Sequence, residues 1–137
     1  MAGEYGVRLM TSYPFDADKG LILVAAEISG PHGSTVLKLV LDTGASTSLV
    51  RKEALIDLGF DPENEIRRVR MMTGSSIIDV PLVVSTRFSS LGRHRFGFPV
   101  IAHTLPKGSG VDGLLGLDFL RGRTLTIVFP QGEISLD

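Results

Sequence analysis

Apolar residues in this chain fall in short runs broken by Gly, Pro, Ser and Asp, a pattern of many strands joined by turns. Residues 21–28 are rich in β-branched and aliphatic side chains. Residues 30–34, Gly-Pro-His-Gly-Ser, then break the chain, and residues 36–41 resume an extended run. Together they predict a hairpin that delivers the chain to Asp42. Residues 51–58 are the best helix candidate, because Ala54, Leu55 and Leu58 share a face and Gly59 stands at the C-cap position. Residues 66–72 and 77–84 flank Thr73-Gly74-Ser75-Ser76 and predict a second hairpin. Residues 96–102 read as another strand. Residues 111–117 are apolar but interrupted by glycines, and Asp118 is expected to cap a short helix ending at Gly122. Residues 125–129, a turn at Pro130-Gln131-Gly132, and residues 134–136 predict a closing hairpin. The expectation is a mainly β protein with one or two short helices. A small closed β-barrel suits that set of elements, because closure removes exposed strand edges.

Composition narrows the function classes. The chain has 137 residues, which suits one domain over 1–137, and a hydrophobic share of 43%, which suits a real core. A net charge of -1 gives no field to gather nucleic acid or an anionic membrane. With no cysteine, disulfides and thiolate metal sites are excluded. No run approaches the ~20 apolar residues of a membrane span. Residues 1–8 lack a basic start followed by an apolar stretch, so no signal peptide and a cytoplasmic location are expected.

The candidate chemistry begins at Leu41-Asp42-Thr43-Gly44-Ala45-Ser46. An Asp after an apolar strand sits at the end of a buried element, and a half-buried carboxylate is costly unless paired or used. Gly44 permits a sharp turn and close backbone approach. Alone, Asp-Thr-Gly is ordinary turn punctuation. Likewise Gly113-Leu114-Leu115-Gly116 alone is a core strand with turn glycines. The two in this order, with a Gly-tipped hairpin between them, are far more specific.

That ordered set resembles the retropepsin-like aspartic proteases, the single-domain class that includes retroviral proteases and their cellular and bacterial relatives. The matching residues are Asp42-Thr43-Gly44-Ala45-Ser46, the hairpin around Gly74, and Leu114-Leu115-Gly116 followed by Leu117-Asp118-Phe119-Leu120, so the resemblance spans roughly residues 21–129. It implies an aspartic endopeptidase that is active as a homodimer, with Asp42 of each chain as the catalytic residue. Thr43 is expected to reach the partner's loop. Gly44, Ala45, Leu114, Leu115 and Gly116 are expected to support the catalytic loop. Met72, Thr73, Gly74, Ser75, Ser76 and Ile77 are expected to form a flap that closes on a peptide or protein substrate. The physics agrees, since one motif supplies one carboxylate, the reaction wants two, and a two-fold axis provides the second. No metal or cofactor is needed.

Three departures from the family pattern stand out. Ala45 replaces the hydroxyl that pepsin-like enzymes carry, so a less acidic optimum is expected. The flap lacks Tyr, since both tyrosines, Tyr5 and Tyr13, lie near the N-terminus. Residues 85–95 are longer and more polar than the minimal retroviral pattern and have no assigned role. Ile77, Val80, Leu82 and Leu105 are candidate pocket-lining residues. Arg67, Arg68 and Arg70 before the flap form either a solvated face or a preference for acidic substrate side chains. The C-terminal hairpin or the segment before Leu21 could each build the dimer interface.

Other signals weigh less. Gly108-Ser109-Gly110-Val111-Asp112-Gly113 matches G-x-G-x-x-G, but lacks the strand before it and the βαβ unit after it that dinucleotide binding requires. His32, His94 and His103 lack metal-ligand spacing. Asp112 and Asp118 read as turn and cap residues. The rival reading of the whole chain is a non-catalytic barrel dimer that binds extended peptides or pairs larger proteins, and a third is a piece active only within a longer chain.

Overall fold

The computed structural model describes residues 11–137 of the chain. The expectations for residues 1–8 and Tyr5 therefore lie outside the described residues. After a short strand β1 (Tyr13–Pro14), β2 (Leu23–Gly30) and β3 (Gly33–Leu41) form the first expected hairpin, in register from Leu23↔Val40 to Gly30↔Gly33. Along β2, Val24, Ala26 and Ile28 are buried while Ala25 and Glu27 are exposed, the period-two signature of a strand with one face in a core. Then follow β4 (Leu49–Arg51) and the helix α1 (Lys52–Asp57), which buries Ala54 and Leu55. Leu58 caps the helix, and Gly59 beyond it takes a φ of +94° that suits glycine.

β5 (Arg68–Thr73) and β6 (Ser76–Ser90) form the second hairpin, and β7 (Arg93–His103) runs back antiparallel to β6. β8 (Gly113–Leu115), the helix α2 (Leu117–Leu120), β9 (Leu125–Val128) and β10 (Glu133–Leu136) complete the chain. Neighbouring strands run β2-β3-β8-β4-β7-β6, and β6 pairs back to β2, so six strands close into a barrel. β5 hangs on the outer side of β6. β1, β10 and β9 make a separate three-stranded sheet. Among the described residues no helix is long and apolar enough to cross a membrane.

Closure depends on the stretch whose role the sequence left open. Residues 85–95 are the far end of β6, a two-residue turn and the start of β7. Positive φ at both Leu91 (52°) and Gly92 (75°) is the pattern of a tight type I′ hairpin. Beside this turn, Ala26↔Ser90 and Ser29↔Arg87 seal the barrel. The serines on the inner face are satisfied, with Ser85 Oγ donating to Phe98 O at 2.8 Å and Ser90 Oγ to Ala25 O at 2.7 Å. Phe88, Phe98 and Phe119 fill the core beside them, with centroids 4.9–5.7 Å apart in tilted and edge-on pairs.

A second, smaller apolar cluster lies between the β5–β6 hairpin and the barrel. Leu49, Val80, Leu82 and Ile101 are buried in it, with Val69, Met71, Leu105 and Leu114 against it. Val80 and Leu82, expected as pocket-lining residues, are buried in this cluster beneath the hairpin and do not line the Asp42 cleft described below.

Candidate active site

Strand β8 sits between β3 and β4, parallel to the first (Val40↔Leu114, Leu41↔Leu115) and antiparallel to the second (Leu49↔Leu114). The loop 42–48 therefore leaves β3, arches over the end of β8 and returns as β4. Such close threading explains the glycines. A Cβ on Gly113 would lie 1.8 Å from Leu49 O, and one on Gly116 would lie 2.7 Å from Ala45 O. Leu115 is fully buried, anchoring the strand in the core.

Asp42 is the first residue past β3. Its N–H donates to Leu115 O at 2.9 Å, and its carbonyl accepts from Ala45 N at 3.1 Å. Gly44 N donates to Asp42 Oδ1 at 2.9 Å, which orients the carboxylate. Ala45 O in turn accepts from Leu117 N at 2.8 Å. The half-buried carboxylate opens onto a cleft of about 380 Å³. Across it stands β5, contributing Val69, Arg70, Met71 and Met72, and the floor includes Leu49, Ile101 and Leu114.

The far end of the loop is held by a buried brace. Ser48 is fully buried, and its N–H and Oγ donate to the two Asp118 carboxyl oxygens at 2.9 and 2.7 Å. Gly116 N donates to Ser48 Oγ at 3.0 Å. Asp118 thus does not cap its helix from outside. Gly116 occupies the N-cap position, and Asp118 lies inside the first turn with its carboxylate turned to the loop. Asp112 fixes the other end of β8. Its carboxyl accepts from Lys38 N and Arg51 Nε, both at 2.8 Å. Burial pushes this carboxyl up, but the Lys38 N–H and the Arg51 guanidinium together outweigh it and hold it below the usual carboxylate range.

The structure brings Asp42, Gly44, Ala45, Leu114 and Met72 to one cleft, with Leu115 and Gly116 packed beneath. Thr43 is exposed at the top of the loop. Thr73, Gly74, Ser75, Ser76 and Ile77 do not line the cleft. They form the exposed end of the hairpin, where Gly74 takes a φ of +53°. Sequence reasoning missed Val69, Met71 and Ile101 as lining residues, although the alternation of Val69 and Met71 with arginines was a visible signal. It also missed the Ser48–Asp118 brace. Residues 108–112 are a loop leading into β8. Among the described residues no His, Asp and Glu cluster could hold a metal ion.

The sequence signature of one family, described as aspartyl protease, matches residues 24–119, from β2 through the Asp42 loop to the brace. The chain belongs to the aspartyl protease family. Its fold is retropepsin-like. A solved structure of a retropepsin-like aspartic protease from Rickettsia conorii superposes with a TM-score of 0.65 at 18% identity, over 95% of this chain and 96% of that one. No curated protein sequence matches significantly. Family and fold together indicate a protease of this kind.

Proposed function

We propose that residues 1–137 form one protease domain, an aspartic endopeptidase that works as a homodimer with Asp42 from each chain as the catalytic pair. The observation that carries this reading is a single carboxylate, oriented by Gly44 N and rigidly backed by Leu115, opening onto a peptide-sized cleft. A two-fold axis would place a second Asp42 opposite the first. As is general for aspartic-protease dyads, two carboxyls about 3 Å apart share one proton. The ionised member takes a proton from a water whose oxygen attacks the scissile carbonyl carbon. The protonated member hydrogen-bonds the carbonyl oxygen and polarises it. The tetrahedral intermediate then collapses as a proton passes to the amide nitrogen and the C–N bond breaks. No metal or cofactor enters these steps.

The β5–β6 hairpin serves this reading as a flap. One edge of β5 is paired to β6, which leaves the other edge to hold a substrate in extended form by main-chain hydrogen bonds. Closure of its tip, residues Met72–Ile77, would exclude bulk water. Thr43, exposed at the loop, would meet the partner's loop in this reading. Hydrolysis of a mixed peptide library by wild type and by Asp42→Asn tests the enzyme. Cleavage by the wild type and none by the variant is expected, and equal cleavage by both would sink the reading in favour of a non-catalytic peptide-binding dimer. Sedimentation tests the shared site, because a strictly monomeric active enzyme would break it.

A further inference from the structure

The outside of the barrel seam carries a polar cluster that the Asp42 cleft does not use. Phe88 is fully buried in the core, so its neighbours Arg87 and Ser89 stand on the outer face of β6. Across the ladder, β7 sets Phe96 opposite Arg87 and His94 opposite Ser89, and β2 sets Glu27 opposite Ser89. Arg87 Nη2 lies 3.0 Å from His94 Nδ1, and Ser89 Oγ lies 2.8 Å from the same nitrogen. A neutral imidazole offers one lone pair there and a protonated one offers none, so in neither form are both neighbours satisfied as donors. Arg87 Nε is buried with no hydrogen-bond partner. The Glu27 carboxylate accepts from Ser34 Oγ at 3.3 Å, and Arg87 has no carboxylate partner among the described residues. The cluster is short of acceptors. Beside it stands Phe96, 76% exposed.

We propose that this cluster is a binding site for a phosphate monoester, with phosphoryl oxygens on Arg87 and Ser89 and a flat organic group on Phe96. Nε and Nη2 form one edge of the guanidinium, two parallel donors that match two oxygens of an oxyanion. His94 Nδ1 marks where one such acceptor sits. An oxyanion that displaces the exposed imidazole from this edge meets Nε and Nη2 together and relieves the unmet buried donor. A tetrahedral anion has a third oxygen left for Ser89 Oγ, whereas a carboxylate has both of its oxygens on the guanidinium. Phe96 shares the outer face with Arg87 and offers its ring to a flat group attached to the phosphate. Glu27 opposes binding through its like charge and holds the affinity down. Because Arg87 and Ser89 pair with Ser29 and Glu27 where the barrel closes, a bound anion also stabilises the seam.

Titration of the full chain with inorganic phosphate, phenyl phosphate and acetate, followed by calorimetry and by the urea midpoint, tests this. Phenyl phosphate should bind tightest, about 5-fold over inorganic phosphate, and both phosphates should raise the midpoint in order of affinity. Arg87→Gln should weaken both at least about 10-fold. Arg87→Lys keeps the charge without the paired edge and should recover only part of that loss. Glu27→Gln should tighten both about 3-fold by removing the like charge. Phe96→Ala should erase the advantage of phenyl phosphate and leave inorganic phosphate unchanged. No saturable binding to the wild type, acetate binding as tightly as phosphate, equal affinity for the two phosphates, or phosphate binding that survives Arg87→Gln overturns the proposal. Should Arg87→Gln fail to fold, the exposed Glu27 and Phe96 positions still decide it, because unchanged affinities in both variants refute the site. Asp42→Asn should bind as the wild type does, so the outcome is independent of the protease reading.

Discussion

The Asp42 loop and the tip of the β5–β6 hairpin both turn on glycine, for opposite reasons. At the loop, Gly113 and Gly116 are needed because another backbone lies where a Cβ would go. At the tip, Gly74 has nothing within 4 Å of its notional Cβ, and glycine serves only its φ of +53°. The loop is pinned by a fully buried serine, a carboxylate brace and the parallel pairing of β3 with β8. The tip has only its own two-strand ladder, with Met72 and Ile77 exposed. Catalysis by positioned carboxylates needs the first kind of region, and admission of a polymer needs the second. β5, which leads to the tip, faces the Asp42 loop across the cleft, and the tip itself lies beyond the lining residues.

Substitutions at the two sites should separate them widely. Gly113→Ala should be the most damaging, because its Cβ would meet backbone that cannot rotate away. We expect a loss of about 3 kcal/mol or failure to fold, at the top of the range for overpacking, read as the urea midpoint or as loss of the cooperative transition. Asp118→Ala comes next. It strips the acceptors from Ser48 N and Oγ and should cost about 1–3 kcal/mol for the unsatisfied buried groups, with activity falling further than stability as the loop loosens. A variant with unchanged stability and full activity would show that the brace does not hold the loop.

Asp112 offers a pH-dependent version of the same contrast. A carboxylate held low when folded contributes stability above the unfolded carboxyl's value of about 3.9 and loses it as pH falls through its own lower value. Wild type should therefore exceed Asp112→Asn in urea midpoint at neutral pH, with the gap closing as pH drops below about 4. A gap that is constant or widens in acid contradicts the assignment. The smallest effect belongs to Gly74→Ala, expected at about 1 kcal/mol from backbone strain alone. Because the tip is peripheral, most of that should appear as faster local hydrogen exchange in the hairpin and little in the global midpoint. A drop as large as that of Gly113→Ala would erase the distinction between the two regions.

Much of the barrel was readable because its signals are local. The residue 21–41 hairpin shows two aliphatic and β-branched runs around a Gly-Pro-His-Gly-Ser break, α1 shows its apolar face and closing glycine, and Thr73-Gly74-Ser75-Ser76 marks its turn. The hairpin of residues 85–95 was not readable, because two of its core-facing positions are Ser85 and Ser90, whose hydroxyls are satisfied by carbonyls that only the folded barrel brings near. Leu91 hid the turn further, being a buried leucine at a φ of 52° where glycine or asparagine is the usual signal.

By itself the sequence determined the strand-rich class, the single Asp42 motif and its ordered partner Leu114-Leu115-Gly116, because side-chain period and turn chemistry are properties of neighbouring residues. Tertiary structure alone decided that β8 threads between β3 and β4, that Asp118 reaches Ser48 seventy residues away, that Val80 and Leu82 are buried in a second cluster beneath the hairpin, and that β5 stands across the cleft from Asp42. Each of those joins segments far apart in the chain, and no local preference encodes which distant backbone will lie where a glycine leaves room.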